Sequence, residues 1–175
     1  SMTPLPPRSK TIDYAHSKEK SELMDILLCA MCRLFIGTNS GLSLVPPVFG
    51  VTCALTNWAP IAIPQWYSTD MYIPKLIFSR ERQRFLTFDE MFRGHAGWKQ
   101  FSRFFDEAGL EVVDNAPEDI AEFVGEVLDT QDGRESWSSA DHARRTRLET
   151  LAVESGSYVG ARMGRRFMDK YSHLI

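Results

Sequence analysis

The sequence predicts an α/β fold: a Rossmann-like parallel sheet flanked by helices, with additional helices at the C-terminal end. Its 175 residues, 43% hydrophobic and 25% charged, fit one globular domain. An apolar strand, a glycine-rich turn, a helix and a second apolar strand follow one another between residues 33 and 56. No charged residue lies between Leu34 and Thr69, which is typical of parallel strands covered on both faces.

The chain divides into three predicted parts. Residues 1–10 are interpreted as a tag remnant, Ser1-Met2, and a proline-rich lead-in. Residues 11–133 form the Rossmann-like domain, which ends at the helix-stopping Gly133. Residues 134–175 form a helical extension.

Short apolar runs predict the strands, and apolar residues at helical spacing predict the helices. Ser17, Thr87 and Asn115 are expected to cap three helices, the last two through a capping box with an acidic residue three positions on. The predicted strands are Thr11–Tyr14, Arg33–Gly37, Val51–Thr56, Lys75–Phe78 and Leu110–Val113. Further helices are predicted at Gly41–Phe49, Ser138–Glu154 and Ser157–Tyr171.

The first predicted helix runs to about Met31 and places Leu23, Ile26, Leu27 and Ala30 on one face that we expect to be buried. Cys29 and Cys32 form a CxxC at its C-terminal end, whereas redox cysteines of the thioredoxin type sit at a helix N-terminus, where the dipole lowers the thiol pKa. We therefore interpret them as packing residues. Three cysteines, an odd number, favour a reducing compartment, so a cytoplasmic location is expected.

Charge and composition exclude several partners. A net charge of −3 argues against binding to nucleic acid or to an anionic membrane. Prolines and glycines break the uncharged run into pieces shorter than the roughly 20 residues of a membrane-spanning helix. No second CxxC or paired histidines are present to complete a zinc site, so neither a metal nor a cofactor is predicted. The basic clusters are interleaved with acids and are interpreted as solvated faces: Arg80/Arg82/Arg84, Arg144/Arg145/Arg147 and Arg162/Arg165/Arg166.

The turn Gly37-Thr38-Asn39-Ser40-Gly41 is the main candidate binding site. It lies between a buried strand and a helix start, where free backbone N–H groups and the helix dipole suit a phosphate. The two glycines permit close approach of a ligand, the hydroxyl groups donate hydrogen bonds, and Asn39 tolerates a left-handed backbone. On the local pattern alone, an ordinary strand-to-helix turn with a serine cap explains the motif equally well.

Two further segments are expected to reach the same crevice. Asn57 and Trp58 follow the carboxyl end of the next strand, and Lys75 follows the long loop Trp58–Ile73. Lys75 is suited to neutralising a diphosphate, or else it is a solvated surface lysine. Trp58, Trp66 and Tyr67 are suited to stacking on a base or a sugar, or to packing in the core or against another domain.

His16 is the catalytic candidate, because it follows the first predicted strand and its imidazole titrates near neutral pH. Only its position supports a role, and a solvated or capping histidine is the favoured alternative. The catalytic residues are otherwise unknown from the sequence.

An ordered series of segments resembles the second half of a GT-B glycosyltransferase, a family in which the most similar members are bacterial enzymes associated with surface polysaccharides. The resemblance covers roughly Thr3 to Leu128, and the order of the segments is more specific than any one of them. The segments are Ile12–Ser17, Met24-Asp25, Phe35–Gly41, Phe49–Val51, Thr56–Pro60, Ile73–Lys75 and Leu86–Met91.

The resemblance implies that residues 11–133 bind a nucleotide-sugar donor, with Gly37, Thr38, Ser40 and Gly41 at the diphosphate. It implies transfer of the sugar to a glycan acceptor without a bound metal, because enzymes of this fold stabilise the leaving diphosphate with helix dipoles and side chains. A complete GT-B enzyme has two Rossmann-like domains, so the resemblance also implies a missing N-terminal acceptor domain. Pro46-Pro47 departs from the family by interrupting the helix after the turn.

Three alternatives stay open at the level of sequence. The chain is either a donor-binding domain or a non-catalytic module that self-associates through its apolar central segment, with Trp58–Tyr67 facing a second copy or a missing domain. A sugar-nucleotide epimerase shares this fold and is the third option. The donor sugar, the nucleotide, the acceptor and the stereochemistry are not determined by the sequence.

Overall fold

The computed structural model describes residues 3–63, 66–158 and 160–175, so the predicted tag remnant Ser1-Met2 lies outside the described residues. Helices α1–α7 span Glu22–Met31, Val45–Val48, Phe88–Arg93, Ser102–Glu107, Pro117–Gln131, Ser139–Glu154 and Arg165–Lys170. Strands β1–β7 span Phe35–Gly37, Cys53–Trp58, Met71–Pro74, Leu76–Ser79, Arg84–Phe85, Leu110–Val113 and Arg162–Met163.

The main sheet contains four parallel strands in the order β1-β2-β3-β7. Helices flank it, which confirms the predicted Rossmann-like α/β fold. Alternation along β2 separates its two faces: Cys53 and Leu55 belong to one apolar cluster with Trp58, and Ala54 belongs to the larger core. The carboxyl ends of these strands therefore lie along one edge of the sheet, where ligands of open α/β sheets bind.

A second, antiparallel sheet in the order β5-β4-β6 continues directly from β3. The strand predicted at Lys75–Phe78 is β4 of this sheet, so it does not extend the parallel one. β6 matches its predicted bounds. Thr87 and Glu90 form the predicted capping box at the start of α3, with reciprocal hydrogen bonds of 3.2 and 2.9 Å.

Of the two helices predicted in the C-terminal segment, the first is confirmed and the second is not. α6 closely matches the helix predicted at Ser138–Glu154, but Ser157–Tyr171 contains β7 before α7 begins. Gly164 follows β7 so tightly that a Cβ atom there would lie 2.8 Å from the Phe123 ring and 3.2 Å from Ile73. Helical periodicity misled the prediction because this segment reaches the sheet edge, where pairing with β3 outweighs local propensity.

Three predictions near the N-terminus are also wrong. Thr11–Tyr14 forms no strand, and residues Tyr14–His16 are instead a short 3-10 helix. α1 begins later than predicted, because the side chain of Ser21, rather than that of Ser17, accepts the N–H of Met24 at 3.2 Å. Among the residues of α1 only Cys29 is buried, and the face expected to be buried is largely exposed.

The larger core joins the main sheet, the antiparallel sheet and the C-terminal helices, with side chains from β2, β3, α3, α5, α6 and α7. Leu148, Leu151 and Phe167 of the predicted extension belong to it. Among the described residues, no helix has the length and apolar character needed to cross a membrane.

Candidate functional site

The glycine-rich turn lies where β1 ends, at the carboxyl edge of the main sheet. A Cβ atom at Gly37 would lie 2.5 Å from the Phe35 ring, so the glycine allows that ring to pack over the strand end. At Gly41 a Cβ atom would meet nothing within 4 Å, which leaves this part of the turn open to solvent. Thr38, Asn39, Ser40 and Gly41 are all exposed. The turn is therefore accessible to a ligand.

The helix predicted at Gly41–Phe49 forms directly after the turn. It begins as a 3-10 helix at Gly41–Leu44, continues as α2, and ends before Gly50, whose φ is +77°. The hydroxyl of Ser43 is buried and donates to the carbonyl of Ser40 at 2.7 Å, so it is not available to a ligand. Within the described chain the N–H groups of Gly41 and Leu42 form no hydrogen bond, as expected for the first amides of a helix.

A cleft of about 590 Å³ opens at this edge of the sheet. It brings together three of the sequence-predicted segments: the turn through Asn39, the end of β2 through Trp58, and the end of β3 through Lys75. Its opposite wall comes from the antiparallel sheet and from the segment between α3 and α4. The lining includes Ala59, Pro60, Ile61, Ile77, Ala96, Lys99, Gln100, Ser102 and Phe105.

Hydrogen bonds to backbone carbonyls fix the predicted residues around the cleft. The side-chain amide of Asn39 donates to the carbonyl of Ala59, beside the cis peptide bond between Ala59 and Pro60. The N–H of Lys75 donates to the carbonyl of Trp58 at 3.0 Å, which ties the ends of β2 and β3 together. The turn, the end of β2 and the end of β3 are thus held in one arrangement.

Two lysines give the cleft its cationic character. The ammonium group of Lys75 is 2.7 Å from a carboxylate oxygen of Asp114, with the lysine side chain 30% exposed and the aspartate 70% exposed. An ion pair with this exposure contributes little free energy, so the contact with Asp114 does not prevent Lys75 from binding a ligand. Lys99 also lines the cleft, and its ammonium group is 5.0 Å from the centroid of the Phe104 ring. Lys99 lies in no sequence motif and was not predicted as a site residue.

Trp58 packs in the core, which is one of the two roles predicted for it. It is 7% exposed, lies 6.4 Å from the Tyr72 ring centroid, and donates its indole N–H to the carbonyl of Ile63 at 3.0 Å. Its ring forms part of the cleft wall and is not free to stack on a base. Trp66 and Tyr67 are exposed, at 74% and 37%, and neither lines the cleft.

Asn57 supports the site and does not line it. Its backbone is left-handed, with φ of +52°, and its side chain accepts the N–H of Asn115 at 2.7 Å. The side-chain oxygen of Asn115 in turn accepts the N–H of Asn57 at 2.6 Å, and its side-chain NH2 donates to the carbonyl of Pro74 at 2.8 Å. The predicted capping role of Asn115 is wrong: Ala116 occupies the cap position of α5, and the buried Asn115 joins the ends of β2 and β3.

His16 does not line the cleft. Its Nδ1 atom is 2.9 Å from a carboxylate oxygen of Asp13 in the 3-10 helix that replaces the first predicted strand. The hydrogen bond from the N–H of Leu5, followed by the one with His16, lowers the pKa of Asp13. The histidine thus has a local structural partner in Asp13.

The cysteines are free thiols, and burial raises the pKa of Cys29 and raises that of Cys53 to about 12. Protonated thiols are poor nucleophiles and poor metal ligands. In the described part of the chain, no group of three or more His, Cys, Asp or Glu residues is arranged to hold a metal ion. Most arginines of the three basic clusters pair with carboxylates, among them Arg82, Arg84, Arg144, Arg145, Arg165 and Arg166.

No family model, curated protein or solved structure matches this chain.

Proposed function

We propose that this chain is the donor-binding domain of a GT-B type glycosyltransferase, and that the cleft beside Asn39, Lys75 and Lys99 binds the diphosphate of a nucleotide-sugar. The observation that carries the proposal is the convergence of separate chain segments on one cationic cleft at the carboxyl edge of a parallel sheet. The volume of about 590 Å³ falls within the roughly 300–1,000 Å³ of small-molecule sites.

The chemistry of the lining favours an anionic ligand. Lys75 and Lys99 supply positive charge to the lining. The turn lines the cleft through Asn39, and the N–H groups of Gly41 and Leu42, two and three residues further on, form no hydrogen bond within the described chain. Fixed donors of this kind stabilise negative charge that develops on a leaving diphosphate. Gln100 and Ser102 add neutral hydrogen-bonding groups on the wall opposite the sheet, where the sugar or nucleoside of a donor would need them.

In this proposal the domain binds and orients the donor, and a second domain supplies the glycan acceptor. No residue of this chain is assigned as the general base. Apolar residues also line the cleft, among them Pro60, Ile61 and Phe105. A less polar lining strengthens the electrostatic contacts between the diphosphate and the lysines.

Calorimetric titration with UDP and with GDP tests the proposal. We expect binding of at least one of them, weakened about tenfold or more in Lys99→Ala and in Lys75→Ala, since loss of one charge contact to a phosphate costs about 1.4 kcal/mol or more. Lys20→Ala, on an exposed segment outside the cleft, is the matched control and should leave binding unchanged. Absence of binding at millimolar nucleotide, or equal weakening by the control, would exclude this function.

A further inference from the structure

The surface formed by α1, the edge of β1 and α2 with its preceding 3-10 helix is unusually apolar for an exposed surface. We call it the α1–β1 face. Its large apolar side chains are each 40–80% exposed: Leu23, Ile26, Leu27, Leu28, Met31, Ile36, Leu42, Leu44, Val48 and Phe49. A contiguous apolar surface on a monomer rarely exceeds a few hundred Å², and larger ones mark interaction sites.

α1 is the centre of this face. Its sequence, Glu22–Met31, carries charge only at Glu22 and Asp25, both in its first turn. A helix that is apolar on nearly all sides is normally buried on all sides, yet here only Cys29 is buried. α1 packs against α2, and its large apolar side chains Leu23, Ile26, Leu27, Leu28 and Met31 each stay at least 40% exposed.

β1 adds an unpaired strand edge to the same region. It is the terminal strand of the main sheet and pairs only with β2 in the described residues. The N–H of Phe35 donates to Thr52 at 3.1 Å, and the carbonyl of Gly37 accepts from the Thr56 hydroxyl. Because neighbouring residues of a strand direct their backbone groups to opposite sides, the N–H and carbonyl of Ile36 point to the open edge.

We propose that the α1–β1 face is a homodimer interface, in which a second copy of this chain pairs its β1 antiparallel to the first across a two-fold axis. A two-fold interface requires a self-complementary surface. An edge strand meets that requirement, because Ile36 of each copy can donate to and accept from Ile36 of the other.

Area and charge both support a second copy as the occupant. The ten side chains present on the order of 1,000 Å² of apolar surface, at roughly 150–200 Å² for a fully open side chain of this size. A standard interface buries about 800 Å² per partner. The segment from Leu34 to Thr69 is uncharged, so β1 and α2 of two copies meet without like-charge repulsion, as in the charge-depleted core of known interfaces.

Light scattering of the intact chain after size exclusion, over about 1–100 μM, tests the proposal. We expect a dimer at the upper concentrations and a monomer for Leu27→Glu. Val153→Glu is the matched control, because Val153 is 59% exposed on α6, outside the α1–β1 face; it should remain dimeric. A monomer at 100 μM, or equal disruption by the control, overturns the proposal.

Cross-linking tests the strand pairing without disturbing the fold. In an antiparallel hydrogen-bonded pair the two Cα atoms lie about 5.5 Å apart, within the range that a disulfide bridges. Ile36→Cys should therefore give a reducible covalent dimer under mild oxidation, and Val153→Cys should not. A non-covalent dimer in which Ile36→Cys fails to cross-link overturns the pairing of β1 with itself.

Discussion

Replacing Asn115 by alanine should destabilise the protein through the joint between β2 and β3. The substitution removes two side-chain hydrogen bonds, one from the N–H of Asn57 at 2.6 Å and one to the carbonyl of Pro74 at 2.8 Å. The N–H of Asn57 and the carbonyl of Pro74 would then lie in a largely buried position without another hydrogen-bond partner. A typical hydrogen bond contributes about 0.5–1.5 kcal/mol, and leaving its partner unsatisfied costs about 1–3 kcal/mol.

We therefore expect Asn115→Ala to lower the free energy of unfolding by about 2–4 kcal/mol, measured by urea denaturation at pH 7. Gln131→Ala is a suitable control, because Gln131 is an exposed amide that makes a single hydrogen bond, to the carbonyl of Arg33 at 3.2 Å. It should change the free energy of unfolding by no more than about 0.5 kcal/mol. A loss for Asn115→Ala as small as that of the control would refute the structural role assigned to Asn115.

Two buried or half-buried carboxylates should give opposite pH dependences. Burial raises the pKa of Glu126, so its stabilising contribution falls as pH rises above the ordinary value of 4.5. Glu126→Gln should flatten the decline in unfolding free energy above that pH, and an unchanged slope would contradict this. The Arg84 guanidinium lowers the pKa of Glu90 to about 2, so its contribution is present above about pH 4.5 and lost as pH falls towards 2. Glu90→Gln should lower the free energy of unfolding by about 1–2 kcal/mol at pH 7, after allowance for the 29% exposure of the Glu90 side chain, and should leave it unchanged near pH 2. An equal loss of unfolding free energy at both pH values would refute the ion-pair explanation.

Strands and caps governed by local chemistry were predictable from the sequence. The apolar run before Gly37 forms β1, and the spacing of Thr87 and Glu90 gives a capping box because both partners lie within one turn. The turn and Lys75 were predictable as neighbours because the carboxyl ends of parallel strands share one edge of the sheet. Each of these inferences depends on contacts close in sequence or on a general rule of topology.

The missed features depend on long-range contacts. Asn115 has the spacing of a helix cap, but its side chain accepts a hydrogen bond from the N–H of Asn57 instead. Asn57 lies 58 positions earlier in the chain, so no local pattern indicates this contact. Lys99 enters the cleft only because the segment after α3 folds over the sheet edge, which no local pattern indicates. The apolar residues of α1 were expected to be buried because an apolar helical face usually is; their exposure appears only when the surrounding elements are placed.

The position of β7 has a consequence for how the chain folds. Arg162 and Met163 pair with Met71 and Tyr72, so about ninety residues must be looped together before the sheet is complete. Closing a loop of this length makes the pairing slow compared with formation of the helices. Until it forms, β3 has an open edge of the kind that other chains can join. During synthesis the sheet therefore stays vulnerable to aggregation until the strand after α6 has emerged, and a chaperone that shields β3 would act in that interval.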